Sequence, residues 1–273
     1  MVRTGETQKD VLVTEAARLA AAAEANGTAV EPFVRAFYEH VPPADVVSRA
    51  ASDLSEAALS IWRLAAERPA GRPKIRVLSP SAGEAWVGER SIVQIINDDM
   101  PFLVDSTSAA LTGFGFDVRL IIHPVLTVKR DGAGRLLASG PEASDGSRES
   151  WMQVELAGVI ERERQDAVVD RLEAVLADVR AVVEDWPAMR EATAQIAHAI
   201  GSAAAPVPGS DAEEAAAFLQ WLDQDNFFFA GYRAYAINNG DLSIVPGSGR
   251  GLLRRDDYLV FDPIFLLWRG ASG

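Results

Sequence analysis

The sequence contains no cysteine among its 273 residues. Disulfide bonds are therefore excluded, and so is any metal site that depends on thiolate ligands. The chain is long enough for one large domain or two small ones, each with its own hydrophobic core. Apolar residues make up 48% of the chain, which excludes wholesale disorder.

Long apolar runs are also missing. No stretch approaches the roughly 18–20 consecutive apolar residues that a membrane-spanning helix needs. The N-terminal sequence MVRTGETQKD lacks the apolar segment of a signal peptide. We therefore expect a cytoplasmic protein without a membrane partner.

Basic residues are few compared with acidic ones. Lysine and arginine together number 26 against 39 acidic residues, which gives a net charge of −13. This balance argues against a nucleic-acid partner, because such proteins need a basic face to neutralise phosphates. Only three lysines and three histidines occur, and His40, His123 and His198 lie far apart in the sequence. General bases and amine nucleophiles are therefore scarce.

The first part of the chain, to about residue 67, has the apolar periodicity of helices. Apolar residues at helical spacing form one face of residues 30–41 and another after Asp53. Pro42 and Pro43 are expected to end the first of these helices. The sequence RPAGRP at residues 68–73 is typical of a linker. Residues 1–72 are thus predicted to form an N-terminal helical segment.

From Lys74 onwards the periodicity changes to that of an α/β domain. Strands are predicted at residues 75–77, 92–96, 118–128 and 151–156, with a short helix at 104–111. Pro124 predicts an edge position, a bulge or a break between two strands. Apolar residues spaced three and four apart from Val168 to Trp186 predict a long helix packed on the sheet. Residues 73–187 are predicted to be this α/β domain.

The remainder is predicted to be a helical linker followed by strands. Pro187 is expected to end the long helix, and a further helix is predicted at residues 189–200. Proline and glycine in GSAAAPVPGS, residues 201–210, mark a linker. We predict a helical linker at 188–224 and a second, β-rich and truncated domain at 225–273. Its strands are predicted at 227–237, 242–245 and 258–268, and Asn238-Asn239-Gly240-Asp241 is a strong hairpin signal.

The segment NDDMPF, residues 97–102, is the main candidate site. Its polar residues follow a predicted strand and precede a predicted helix, so the first interpretation is that they cap that helix. The alternative is a ligand contact. The free N–H groups and positive dipole end of a helix suit the carboxylate of an amino acid, and nearby acids suit its ammonium group. The candidate ligand-binding residues are Asn97, Asp98, Asp99, Met100, Pro101 and Phe102.

Other chemistry finds little support in the sequence. No histidine or third acid is spaced to complete a metal site with Asp98 and Asp99, so no metal site is predicted. His123 is interpreted as a packing residue whose hydrogen bonds are satisfied. The glycine-rich segment 247–251 follows a predicted strand, but Leu252 stands where the dinucleotide pattern needs its third glycine. We therefore predict an ordinary turn there, without catalytic or cofactor-binding residues.

Five motifs together resemble one protein family. From about residue 30 to the end, the chain resembles the N-terminal region of the large bacterial NAD-specific glutamate dehydrogenases. The motifs that carry the resemblance are NDDMPFLVDS, HPVLTVKRD, ESWMQVEL, VEDWPAM and VPGSGRGLL. The order of strand, acidic turn, helix and strand from residue 91 to 117 also resembles the opening of an ACT domain, a small regulatory fold.

The resemblance implies a non-catalytic regulatory or assembly region of an enzyme that converts L-glutamate to 2-oxoglutarate and ammonia. It implies that catalysis and NAD binding belong to later domains, so no cofactor is expected in this segment. The implied partners are an amino-acid effector, further copies of the chain and its own later domains. Two other functions stay open: a stand-alone amino-acid sensor of the ACT type, and a small enzyme that uses Asp98 and Asp99 with a base or metal partner.

Two departures from the ACT pattern stand out. The usual pattern places a glycine after the proline of the turn, where this chain has Phe102, a side chain bulky enough to fill the ligand space. An ordinary ACT domain also runs βαββαβ, and the long helix here has no obvious strand after it. We predict that residues 75–77 take the place of that last strand. The expected fold is therefore α+β, with a permuted ferredoxin-like sandwich between the helical segments.

Overall fold

The computed structural model describes residues 2–24, 27–80, 83–202, 209–238 and 241–255. The chain divides into two compact units, Met1–Leu176 and Ala177–Gly273. The division into four segments made from the sequence is finer, and it stays a prediction. In the described ranges, no helix is both long and apolar enough to cross a membrane.

The first unit opens with four helices: α1 (Val2–Ala23), α2 (Gly27–Tyr38), α3 (Pro43–Val47) and α4 (Ala51–Ala65). They are amphipathic, and their buried residues recur at helical spacing. Helix α2 ends at Tyr38, before Pro42 is reached. Pro42 and Pro43 open α3, a position where the missing N–H of proline removes no helical hydrogen bond. Tyr38 donates its hydroxyl to the carbonyl of Leu54 at 2.8 Å, which ties α2 to α4.

An antiparallel sheet follows the helices. Its strands are β1 (Lys74–Leu78), β2 (Ile92–Asp98), β3 (Val118–Ile122), β4 (Val125–Arg130), β5 (Leu136–Ser139) and β6 (Ser147–Leu156). The order is β1-β2-β6-β4-β5, with β3 also paired to β6. Strand β6 therefore forms the centre, with β2 along one edge and β3 and β4 in succession along the other.

Two sequence predictions about this sheet are confirmed. The chain breaks between β3 and β4 at His123 and Pro124, which is one of the outcomes predicted from the proline. Strand β1 pairs with β2, with Ile75 opposite Ile95. Strand β1 thus takes the edge place that the last strand holds in a βαββαβ fold, and the domain is a permuted, ferredoxin-like α+β sheet.

One face of the sheet packs on the N-terminal helices. Trp151 is fully buried there, and its ring centroid lies 5.2 Å from that of Phe33 and 5.9 Å from that of Trp62. Ile96, Ile122, Leu126 and Val128 join the same core as the buried residues of α1, α2 and α4. Side chains alternate along a strand. Buried Met152 and Val154 therefore belong to the opposite face.

Helix α5 (Leu103–Gly113) connects β2 to β3, and helix α6 (Arg162–Ser202) follows β6. The prediction that α6 ends before Pro187 is wrong, because the helix continues through it. A proline removes one backbone hydrogen bond and crowds one carbonyl. Beyond it, Met189, Thr193 and Ala197 are buried at a spacing of four, so the helical pattern resumes at once.

The described part of the second unit contains α7 (Gly209–Trp221), a single π-helical turn (Leu222–Asn226) and four short strands. The strands are β7 (Gly231–Tyr232), β8 (Tyr235–Asn238), β9 (Asp241–Ile244) and β10 (Arg250–Gly251). Strands β8 and β9 form the predicted hairpin, with Asn238 opposite Asp241. The predicted strand at 258–268 and residues 203–208 of the predicted linker lie outside the described residues.

Candidate functional site

The turn between β2 and α5 holds the six residues singled out from the sequence. Strand β2 includes Asn97 and Asp98, and α5 begins at Leu103. Phe102 occupies the N-cap position, and its carbonyl accepts from Ser106 N–H at 3.0 Å. The prediction that Asn97, Asp98 and Asp99 cap the helix is therefore wrong, because they lie three to five residues before the N-cap.

Phe102 has a φ of 68°, in the left-handed region that disfavours residues with a Cβ atom. The position therefore suits glycine, the residue of the usual ACT pattern. The phenylalanine side chain is 42% exposed. Its ring consequently lies at the surface beside the helix opening.

A glycine at this position is expected to relieve the backbone strain. We predict that Phe102→Gly is at least as stable as the parent chain, whereas Phe102→Val is less stable than Phe102→Gly by about 1–2 kcal/mol. Urea unfolding followed by circular dichroism measures both. A loss of more than about 1 kcal/mol in Phe102→Gly would show that the aromatic ring contributes more than the strain costs.

The two acids of the turn are engaged in ion pairs. Asp98 accepts from Arg68 Nη2 at 2.5 Å, and Asp99 lies 3.1 Å from Arg148 Nη2. The backbone N–H of Asp99 also donates to the carbonyl of Arg148 at 3.0 Å. Each carboxylate therefore neutralises a guanidinium, and an ammonium ligand would have to compete with that arginine.

Behind the turn lies a buried ion cluster, formed by Arg68, Asp98, Arg130 and Glu149. Glu149 is fully buried. It accepts from Arg68 Nη2 and Arg130 Nε, each at 2.7 Å, and its second oxygen accepts from Arg130 Nη2 at 2.8 Å and Trp151 Nε1 at 2.9 Å. Burial by itself raises the pKa of Glu149. The bonds from Arg130, Trp151 and Arg68 outweigh burial, so this pKa lies below the ordinary carboxyl value.

This cluster joins elements that are distant in sequence. Arg130 Nη1 also donates to the carbonyls of Ala65 and Gly134, at 2.8 and 2.9 Å, and Arg68 Nη1 donates to the carbonyl of Arg72 at 3.0 Å. The end of α4, the β4–β5 hairpin and strand β6 thus meet at one carboxylate. The sequence interpretation missed this cluster. A signal was present, because one face of β6 carries polar residues at every second position around a tryptophan: Glu149, Trp151, Gln153 and Glu155.

His123 and Ser150 form a histidine–serine pair close in sequence to strands that flank the turn, a combination used in nucleophilic catalysis. His123 Nε2 is hydrogen-bonded to Ser150 Oγ. Burial lowers the pKa of His123, and the charge of Asp99 opposes that shift only in part. Ser150 is completely buried, so its hydroxyl is closed to a substrate. The pairing satisfies two polar side chains, in agreement with the interpretation of His123 as a packing residue.

The described residues lack a cluster of metal ligands, and their glycine-rich segment packs closely on the chain itself. They contain no group of three or more histidine or acidic side chains that could hold a metal ion. The predicted turn lies at the start of the segment 247–251, where Ser248 N–H donates to the Val245 carbonyl at 3.2 Å, and Arg250–Gly251 form β10. A Cβ at Gly249 would lie 2.0 Å from the Leu253 carbonyl oxygen, and one at Gly251 would lie 2.4 Å from that of Ala230. Glycine at these two positions therefore permits close packing of the chain on itself.

Comparison with known proteins gives concordant matches. Residues 33–172 match the family model described as "Glutamate dehydrogenase, ACT1 domain". The NAD-specific glutamate dehydrogenase of Halomonas elongata is 36% identical over 240 residues, which cover 83% of this chain and 15% of the relative. Its counterpart in Pseudomonas aeruginosa is 29% identical over 209 residues, covering 75% of this chain and 13% of the relative.

A third relative, the NAD-specific glutamate dehydrogenase of Mycobacterium tuberculosis, is 29% identical over 197 residues, which cover 71% of this chain and 12% of the relative. The chain thus spans about one seventh of the length of the relatives it matches. The family match includes the second half of α2, the whole of α3 and α4, the sheet, the acidic turn and the ion cluster. This chain therefore belongs to the NAD-specific glutamate dehydrogenase family, as an N-terminal region that contains the ACT1 domain.

Proposed function

We propose that this chain serves as a non-catalytic regulatory and assembly region of an NAD-dependent glutamate dehydrogenase. The whole enzyme would convert L-glutamate to 2-oxoglutarate and ammonia while reducing NAD, in the cytoplasm. The observation that carries the proposal is the state of the acidic turn, because Asp98 and Asp99 pair with Arg68 and Arg148. Paired carboxylates of this kind hold a structure together and leave no free base for proton transfer.

The geometry supports assembly as the main task of the turn. Phe102 presents its ring to solvent at the opening of α5, and Met100 and Pro101 stand beside it in sequence. An aromatic side chain at a rigid, strained turn is a suitable anchor for a protein contact. The proposed occupants of this contact are another copy of the chain or later domains of the same enzyme, and neither nucleic acid nor membrane is among them.

Two sensing or catalytic alternatives remain as proposals. A stand-alone ACT-type sensor would bind an amino acid with residues 97–102, which requires the ligand ammonium to displace an arginine from Asp98 or Asp99. A small enzyme based on the same acids would need a base. One candidate base, His123, is already hydrogen-bonded to Ser150. Both alternatives therefore demand rearrangement of the turn.

An activity assay on the purified 273-residue protein tests the proposal. We expect no glutamate-dependent reduction of NAD, because both acids of the turn are held in ion pairs and the glycine-rich segment packs on the chain itself. Sedimentation velocity should show self-association that depends on concentration and weakens in Phe102→Gly. Turnover that persists after rigorous purification and falls in Asp99→Asn would contradict a non-catalytic role.

A further inference from the structure

A cleft of about 500 Å³ lies between α4, β1 and the short helical turn Ala85–Val87. This volume is within the range of roughly 300–1,000 Å³ that small-molecule sites occupy. None of its lining residues belongs to the acidic turn at 97–102. The cleft is lined by Asp53, Glu56, Ser60, Arg63, Arg76, Glu84, Ala85 and Trp86.

Arg76 is the cation at this cleft, and its charge is poorly compensated. Nη2 donates to the carbonyl and hydroxyl of Ser60, at 2.8 and 2.6 Å, and to Gln94 Oε1 at 2.6 Å. Nε is buried and has no hydrogen-bond partner within the described ranges. In the same part of the chain, no carboxylate forms an ion pair with this guanidinium. Burial lowers the pKa of Arg76, and the charge of Glu84 offsets this only in part.

The three acids that line the cleft form no ion pair with Arg76 in the described part of the chain. Glu84 accepts a hydrogen bond from Trp86 Nε1 at 2.7 Å. Asp53 and Glu56 are exposed and lie three residues apart on α4, so their side chains stand on the same face of the helix. Neither forms an ion pair or a hydrogen bond with another described side chain. The second basic residue, Arg63, already pairs with Glu24 at 2.6 Å.

We propose that this cleft binds a free α-amino acid. The ligand carboxylate faces Arg76, the ammonium group faces Asp53, Glu56 and Glu84, and the side chain lies along Trp86. A dicarboxylate would be repelled by the three acids, and a polyamine would be repelled by the guanidinium of Arg76, which has no carboxylate partner. Only a zwitterion complements both signs of charge. This site rests on the regulatory part of the proposed function and is distinct from the turn at 97–102.

Calorimetric titration of the 273-residue protein with each of the twenty standard L-amino acids tests the site. We expect at least one of them to bind. For that amino acid, the amide analogue, which lacks the carboxylate, and the deaminated acid, which lacks the ammonium, should each bind roughly tenfold or more weakly. Equal affinity for the amide analogue, or no binding by any of the twenty, would overturn the inference.

Three variants locate the binding. Glu56→Gln changes an exposed residue and keeps the fold, while Arg76→Lys keeps the charge but loses the fork geometry; both should weaken binding roughly tenfold. Asp99→Asn, at the acidic turn, should leave the affinity unchanged. Loss of binding in Asp99→Asn alone would place the ligand at the turn and overturn the cleft. The activity assay and the sedimentation experiment test the proposed function, and neither measures amino-acid binding. A failure of the proposed function can therefore be told apart from a failure of this site.

Discussion

Replacing Glu149 by glutamine is expected to lower the free energy of unfolding by about 3–5 kcal/mol. The carboxylate is fully buried and accepts from Arg68, Arg130 and Trp151. A glutamine keeps the volume but removes the negative charge, so two guanidiniums lose their shared counter-charge. Its amide nitrogen also directs a donor at groups that are themselves donors. Urea unfolding followed by circular dichroism and tryptophan fluorescence measures the loss.

A matched control is an exposed ion pair between β4 and the turn that precedes β6. Asp145→Asn breaks the ion pair with Lys129, which lies at the surface with side-chain exposures of 48% and 67%. Exposed pairs contribute little to stability, so this variant should unfold close to the parent midpoint. If Glu149→Gln and Asp145→Asn had equal effects, the buried cluster would have no special role in stability.

The same carboxylate predicts a dependence on pH. The pKa of Glu149 is lower in the folded protein than the ordinary glutamate value of about 4.3. The unfolded chain therefore takes up the proton first as the pH falls. The stabilisation is fully present above about pH 4.3 and is lost as the pH drops through the folded-state pKa. The parent chain should thus lose stability more steeply below about pH 4.3 than Glu149→Gln does.

Much of the first unit could be predicted from the sequence, because its signals are local. A nearly continuous apolar run located β2, and apolar alternation located β6. The proline at 124 indicated the break between β3 and β4. The sequence shows no strand after the long helix, which predicted that β1 takes the place of the last strand of the βαββαβ order. The pairing of β1 with β2 confirmed this permutation. These predictions depend on the periodicity of apolar residues and on the backbone chemistry of proline. Both can be read from residues that are close together in the sequence.

The parts that failed depend on contacts between distant residues. Arg68 belongs to a segment predicted as a linker from its prolines and glycine, yet it is 2% exposed and binds Glu149, 81 residues away. Asp98 was predicted to cap a helix, but Arg68 takes its carboxylate instead. Pro187 was expected to end α6, and the buried residues beyond it continue the helix. Local propensity cannot anticipate which distant side chain will compete for a polar group.

The second large effect is expected from Trp151→Ala, which should cost about 3–5 kcal/mol of folding free energy. Trp151 is fully buried at the centre of β6, in contact with the rings of Phe33 and Trp62. Truncation leaves a large cavity between the sheet and helices α2 and α4. It also removes one donor from Glu149. Urea unfolding monitored by circular dichroism and by the fluorescence of the remaining tryptophans measures the loss.

Two further substitutions serve as controls for the effect of Trp151→Ala on stability. Trp151→Phe retains an aromatic ring and should cost clearly less than the alanine variant, about 1–2 kcal/mol. Leu137→Ala, at a residue that is 60% exposed on β5, should have no measurable effect. If Trp151→Ala unfolded within about 1 kcal/mol of the parent, the shared core would contribute little. The N-terminal helices and the sheet would then be separate modules. A large loss with a single transition would show that both layers fold together, as one rigid platform behind the acidic turn and the cleft.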